Sequence, residues 1–171
     1  MTISQVEASR PDELVAAAGE VASAAADLET WIDRERLQLT RLASDWRGSA
    51  SDTAREHATE MFGDQETYGD RLQLLHAAMS AGGAQLGGIR RRVMALVSSP
   101  EASLFDISDE GRVSLGWRLK VLVATNPALA MTWGMRRLAL QTAIQTGLAE
   151  FDAEDKATAD KMDRINKGLL K

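Results

Sequence analysis

The sequence predicts an all-α protein: a long antiparallel helical hairpin, joined to a third long helix in a helical bundle. Three observations carry this prediction. Apolar residues recur at alternating spacings of four and three from Leu14 to Trp46, a glycine-containing bend follows, and two further runs of helical periodicity come after it. The chain has 171 residues, 44% of them apolar and 26% charged, a composition typical of one globular domain.

The net charge and the residue composition also limit which partners and functional sites are expected. A formal net charge of -5 disfavours a generic nucleic-acid or anionic-membrane partner. The absence of cysteine excludes disulfides, thiolate metal sites and a cysteine nucleophile. The first residues have neither a basic start nor an apolar core, so no cleavable secretory signal is expected. The most apolar stretch, residues 121–133, is too short for a stable membrane span and contains Asn126 and Pro127.

The first predicted helix begins at Pro11, after a polar N-terminus of residues 1–10 that we expect to be loose. Proline suits the first helical turn, and the acidic residues that follow it favour a helix start. The helix would be roughly 50 Å long at 1.5 Å per residue. Its apolar positions form one stripe that favours lengthwise packing against a partner helix: Leu14, Ala18, Val21, Ala25, Leu28, Ile32, Leu39, Leu42 and Trp46.

The bend is predicted at Trp46-Arg47-Gly48. Glycine just past a periodic run is a helix stop signal, because it adopts a left-handed conformation without a Cβ clash. Ser49 and Ser51 are candidate N-caps for the second helix, which completes a hairpin over residues 11–97. Four glycines in residues 81–88 indicate either a close helix contact or a break.

The remaining residues predict a connector and a third helix. Residues 98–125 are expected to be irregular with short extended pieces, including a possible β-hairpin near 104–115 around Asp109-Glu110-Gly111. Asn126 and Pro127 form an N-cap and first-turn pair that starts a C-terminal helix over 126–171, packing on the hairpin.

No pattern in the sequence predicts an enzyme, a cofactor or a metal. His57 and His76 lack the spacing of a bundle metal site, so packed or surface histidines are the better interpretation. There is no nucleophile elbow, and the glycines of residues 81–88 lack the ending of a phosphate-binding loop. The carboxylates between residues 150 and 155 favour a solvated helix face over acid–base chemistry.

An alanine-rich helix, then Trp46-Arg47-Gly48-Ser49-Ala50 and a second helix, resembles the WXG-motif proteins of actinobacterial type VII (ESX) secretion. The resemblance covers about residues 11–80. It implies a helical hairpin with Trp46 and Gly48 at the bend, exported folded, often as a dimer, without a cleaved signal. The family's second export element, Tyr-x-x-x-Asp/Glu, has Phe in place of Tyr here, which makes Phe151 and Asp155 the candidate export signal.

The resemblance implies a non-enzymatic substrate or targeting domain of type VII secretion that binds protein partners, or itself, through its helix stripes. The partners would include the secretion machinery, and the chain would be made in the cytoplasm and then secreted or held at the cell envelope. Two alternatives remain open. The chain could be a cytosolic helical adaptor or chaperone. It could also be the non-catalytic N-terminal part of a secreted toxin or hydrolase, because its length resembles that of the helical regions that precede such domains.

Overall fold

A computed structural model describes residues 1–170, apart from the side chains of Pro127 and Ala128; Lys171, the last residue of the predicted C-terminal helix, lies outside the described residues. The fold is all-α with one small β-hairpin, as predicted. Its helices are α1 (Ile3–Ala8), α2 (Pro11–Asp45), α3 (Ser49–Val97), α4 (Trp117–Thr125) and α5 (Pro127–Asn166), with a short 3-10 turn at Ala102–Leu104 and strands β1 (Phe105–Ile107) and β2 (Val113–Leu115).

The chain divides into two compact units. The first unit contains Met1–Asp12 and Gly82–Thr158, and the second contains Glu13–Ala81 and Ala159–Lys171. These units cut across the segments that the sequence predicts, because α3 and α5 each contribute residues to both.

The second unit contains the predicted hairpin of α2 and α3. The Nδ1 atom of His76 lies 2.8 Å from the carbonyl oxygen of Ala18, and Arg36 pairs with Glu66 at 2.6 Å. The residue nearer the end of α2, Arg36, thus contacts the residue nearer the start of α3, Glu66. The two helices are therefore antiparallel. The apolar stripe of α2 faces inward at Ala18, Ala25 and Ile32, all of them buried.

The first unit contains an apolar core. Apolar residues from α1, α3, the β-hairpin, α4 and α5 pack together in this core, which removes their surfaces from water. The buried members are Ile3, Val6, Leu86, Ile89, Val93, Phe105, Val113, Leu119, Ile144, Leu148 and Phe151.

The prediction of a loose N-terminus is wrong, because residues 3–8 form α1. The Thr2 hydroxyl accepts from the main-chain N–H of Gln5, and the Gln5 side chain accepts from the N–H of Thr2, which makes a complete capping box. Val6 is fully buried, and the N–H of Ile3 donates to the carbonyl of Asp109 at 2.9 Å. A six-residue helix is marginal alone, so this tertiary packing is what holds it.

The connector of residues 98–125 is more regular than predicted. Strands β1 and β2 pair antiparallel, with Phe105 opposite Leu115 and Ile107 opposite Val113, which confirms the β-hairpin. Residues 117–125, however, form α4 rather than an irregular segment. Gly116 precedes this helix, and Leu119 secures it by packing into the core.

The glycines of residues 81–88 do not break α3, which is continuous from Ser49 to Val97. The break is therefore wrong, and close contact holds at Gly82, as shown below, but not at Gly88, where a Cβ would meet no atom within 4 Å. No helix within residues 1–170 combines the length and apolar content needed to cross a membrane.

Candidate functional site

The connection between α2 and α3 is a three-residue link. Helix α2 ends at Asp45 and α3 begins at Ser49, with Trp46, Arg47 and Gly48 between them. Gly48 has φ +119, a conformation that side chains disfavour, although a Cβ there would meet no atom within 4 Å. Residue 48 therefore favours glycine because of its backbone conformation, and not because a side chain would clash with its neighbours.

Gly48, not a serine, occupies the N-cap position of α3. Its carbonyl accepts the first intrahelical hydrogen bond, from the N–H of Asp52 at 3.1 Å. The predicted caps Ser49 and Ser51 lie inside the helix instead. Glycine can serve as an N-cap without a side-chain oxygen, so the helix start moves one residue towards the bend.

The main chain of Trp46 is held by two side chains of α3. Its carbonyl accepts from the Ser51 hydroxyl at 2.8 Å and from the Arg55 guanidinium at 3.1 Å. The same guanidinium donates to the Ser51 hydroxyl at 2.8 Å, and Ser51 is buried. This cluster of three residues fixes the end of α2 against the start of α3, and no simple sequence pattern signals it.

The Trp46 indole is only partly covered, with 42% of the residue exposed. The α2 stripe, buried at Ala18, Ala25 and Ile32, is exposed at Leu42. A groove of about 580 Å³ lies here between the two helices, lined in part by Leu39, Leu42, Ala58, Met61 and Phe62. The end of the hairpin therefore presents apolar side chains that the second unit itself does not bury.

Phe151 and Asp155, the candidate export signal, have different surroundings although both belong to α5. Phe151 is 3% exposed and belongs to the core of the first unit, whereas Asp155 is exposed. Only the carboxylate of this pair is accessible from solvent in the folded chain. Trp46 and Gly48 belong to the second unit, so the two predicted pairs lie in different units.

The neighbouring carboxylates of α5 are used in ion pairs. Glu150 pairs with Arg92 of α3 at 2.7 Å, and Asp152 pairs with Lys156 at 2.6 Å. The hydrogen bond from Lys156 is the main cause that lowers the pKa of Asp152, and the bond to Asp152 in turn raises the pKa of Lys156. These partners agree with the solvated helix face that the sequence favours.

The two histidines do not lie in a common environment. His57 is exposed and lies 3.6 Å from the Glu60 carboxylate one turn on, while His76 is half-buried against the main chain of α2. Within residues 1–170, no three histidine or carboxylate side chains gather in a way that could hold a metal ion.

Comparison of the chain with family models, with curated proteins and with solved structures returned no match.

Proposed function

We propose that this chain is a non-enzymatic substrate or targeting domain of a type VII (ESX) secretion system, acting through protein–protein contacts of its α2–α3 hairpin. The observation that carries the proposal is the connection itself. A Trp-x-Gly sequence joins two long antiparallel helices, with Gly48 in the conformation that favours glycine and Trp46 partly exposed.

The apolar end of the hairpin supports a protein partner. Leu42 and Met61 are exposed on either side of a groove in which Phe62 is buried. A helix of another protein, or of a second copy, would cover these side chains at about 25 cal/mol for each Å² of apolar area removed from water. Apolar anchors in such a groove are the usual basis of helix recognition.

Of the two residues of the proposed export signal, Asp155 is the one that a receptor would contact. Its carboxylate is exposed and available to a receptor, whereas the Phe151 ring is enclosed by the core. In this form of the proposal, Phe151 fixes the position of the helix turn that presents Asp155.

Replacing Trp46 with alanine tests the proposal, and Trp31 supplies the matched control. Trp31 lies in α2, the helix that Trp46 directly follows, and both residues belong to the second unit. Trp31 is 39% exposed, close to the 42% of Trp46. We expect Trp46→Ala to lower the amount of protein in culture filtrate relative to cell lysate of the native host, and Trp31→Ala to leave that ratio unchanged. Circular dichroism of both purified variants checks that they are equally helical.

Equal export of the two variants and the wild type would remove the export role from Trp46. A wild-type chain found only in the cytosolic fraction would contradict the proposal as a whole and favour the adaptor alternative. Asp155→Asn, assayed in the same way, tests the second element separately.

A further inference from the structure

A long stretch of this acidic protein contains no acidic residue. Residues 111–149 include no Asp or Glu but contain five basic residues: Arg112, Arg118, Lys120, Arg136 and Arg137. The whole chain carries -5, so this stretch is locally cationic while the rest is strongly anionic. The overall charge, which disfavours an anionic membrane partner, therefore conceals a segment with the opposite preference.

Helix α4 lies within this stretch and presents an apolar face to solvent. Leu119 packs into the core, while Trp117, at 70% exposure, and Val121 are exposed. At about 100° per residue, Trp117 and Val121 lie about 40° apart and about 160° from Leu119. Arg118 and Lys120 lie on the two flanks of this outward face, and the Arg118 guanidinium lies over the Trp117 ring, 5.6 Å from its centroid.

The first turns of α5 repeat this arrangement. Met131, at 75% exposure, Met135 and Leu138 are exposed at spacings of four and three, so they share one helix face. The buried Ile144 lies on the other side of the helix. Arg136 follows directly after Met135, with its guanidinium 5.0 Å from the centroid of the Trp133 ring.

One cation in each of these helices, Lys120 of α4 and Arg136 of α5, forms only an exposed ion pair. Lys120 lies 3.9 Å from Asp106, and Arg136 lies 3.8 Å from Glu101, in ion pairs whose members are all well exposed. Pairs of this kind contribute little to stability, about 0–1 kcal/mol. Phosphate groups from outside the molecule can replace them without leaving a buried charge unpaired.

We propose that α4 and the first turns of α5 form a peripheral binding surface for the anionic phospholipids of a membrane. Trp117 and Val121 enter the boundary between headgroups and acyl chains, and Arg118 and Lys120 pair with lipid phosphates. At about 1.5 Å per residue, the nine residues of α4 are far too short to cross the roughly 30 Å apolar layer, so the helix lies in the plane of the surface.

A lipid surface fits these helices better than a protein partner does. The exposed apolar side chains project from the outward faces of helices, and cations flank them, as in helices that lie at membrane interfaces. Tryptophan favours this boundary because its ring is apolar while its N–H is polar. A protein partner would have to supply a groove of matching shape, whereas lipids adapt to the helix. The proposal does not depend on export.

Vesicle sedimentation with the full-length chain tests the proposal. We expect the protein to bind vesicles of phosphatidylcholine mixed with phosphatidylglycerol much more strongly than vesicles of phosphatidylcholine alone. Raising the ionic strength from about 0.1 M to about 1 M shortens the Debye length from about 10 Å to about 3 Å and should weaken binding strongly. A blue shift of tryptophan emission that is lost in Trp117→Phe would identify the ring that enters the lipid.

Charge reversal provides the decisive comparison. The double variant Arg118→Glu with Lys120→Glu should lower binding to the anionic vesicles at least about tenfold, since each basic residue near such a surface contributes about 1 kcal/mol. The matched control is Arg34→Glu with Arg41→Glu, which changes the net charge equally at two exposed arginines of α2. The control should retain most of the binding.

Three results would overturn the proposal. The first is equal binding to neutral and anionic vesicles, and the second is an equal loss in the two double variants. The third is an absence of vesicle binding together with self-association that the α4 variant abolishes, which would assign the surface to a second copy. Val121→Ser should also weaken vesicle binding, because it removes apolar area that enters the lipid.

Discussion

Gly82 of α3 lies directly against the side chain of Thr158 of α5, so closely that a Cβ on residue 82 would overlap both Oγ1 and Cγ2 of the threonine. Both residues belong to the first unit, and Thr158 is buried. The glycine therefore allows these two helices to approach more closely than any other residue would.

In Gly82→Ala, the added methyl group should force the helices or the threonine to shift, which by itself lowers the free energy of unfolding by about 1–3 kcal/mol. Alanine also gains about 1 kcal/mol in helix propensity, so the net loss is smaller than the overlap alone would give. Urea unfolding followed by circular dichroism measures the difference. Gly88→Ala, in the same helix with open space around it, should instead raise stability. A destabilised Gly88→Ala would mean that helix propensity is not acting as assumed.

The conformation of Gly48 leads to a second prediction. Gly48→Ala should destabilise the chain by about 1–2 kcal/mol, because φ +119 places a Cβ in a strained region even though no neighbour is near. Gly63→Ala, inside α3 and also with open space around it, is the control and should raise stability. Equal unfolding free energies for the two variants would show that the bend relaxes to accept a side chain.

Substitutions at Phe151 and at Asp155 should have very different effects on the free energy of unfolding. Phe151→Ala removes a ring from the core and should cost about 3–5 kcal/mol. Asp155→Asn changes an exposed side chain and should alter the unfolding free energy by less than about 0.5 kcal/mol. Loss of export in Phe151→Ala alone would therefore reflect unfolding. A stable, fully folded Phe151→Ala variant would contradict this assignment.

Stability should decline in acid partly through Asp109. The hydroxyl and the main-chain N–H of Ser4 both donate to its carboxylate at 2.7 Å and hold the pKa of Asp109 below its ordinary value of 3.8. A lowered pKa stabilises the folded chain at pH values above 3.8, and this contribution is lost as the pH falls through the folded-state pKa.

Titration by NMR checks this prediction in two variants. In Ser4→Ala, the pKa of Asp109 should rise towards 3.8, because the hydroxyl donor is lost. Ser103→Ala removes another exposed serine hydroxyl, one that donates to the carbonyl of Pro100, and should leave the pKa of Asp109 unchanged. An unchanged Asp109 pKa in Ser4→Ala would show that the main-chain donor alone sets it.

Long periodic patterns made most of the fold predictable. The α2 stripe, the bend that contains Gly48 and the start of α5 at Pro127 are local signals, and the structure contains each of these features. Gly48, however, begins α3 instead of ending α2. Helix α1 could not be predicted in this way. Its two large apolar residues, Ile3 and Val6, form a recognisable signal only together with core residues that lie at least 80 residues away.

The location of the candidate site in the sequence was predictable, but the contacts and the exposure of its side chains were not. The sequence identifies Trp46 and Gly48 as the bend, yet the Ser51 and Arg55 contacts that fix it depend on geometry across the link. Helical spacing correctly places Phe151 and Asp155 one turn apart. It cannot show that one is enclosed and the other exposed, because that depends on which helices surround α5.

The contact between Ser4 and Asp109 also determines when the first unit can be completed during synthesis. Helix α1 leaves the ribosome well before its hydrogen-bonding partner, which is 105 residues further along, and the core that it joins includes Phe151. Closing so long a loop is slow compared with forming a local helix. Until Phe151 has been made, Ile3 and Val6 lack part of the core that buries them, so the first unit cannot be completed when α1 is synthesised.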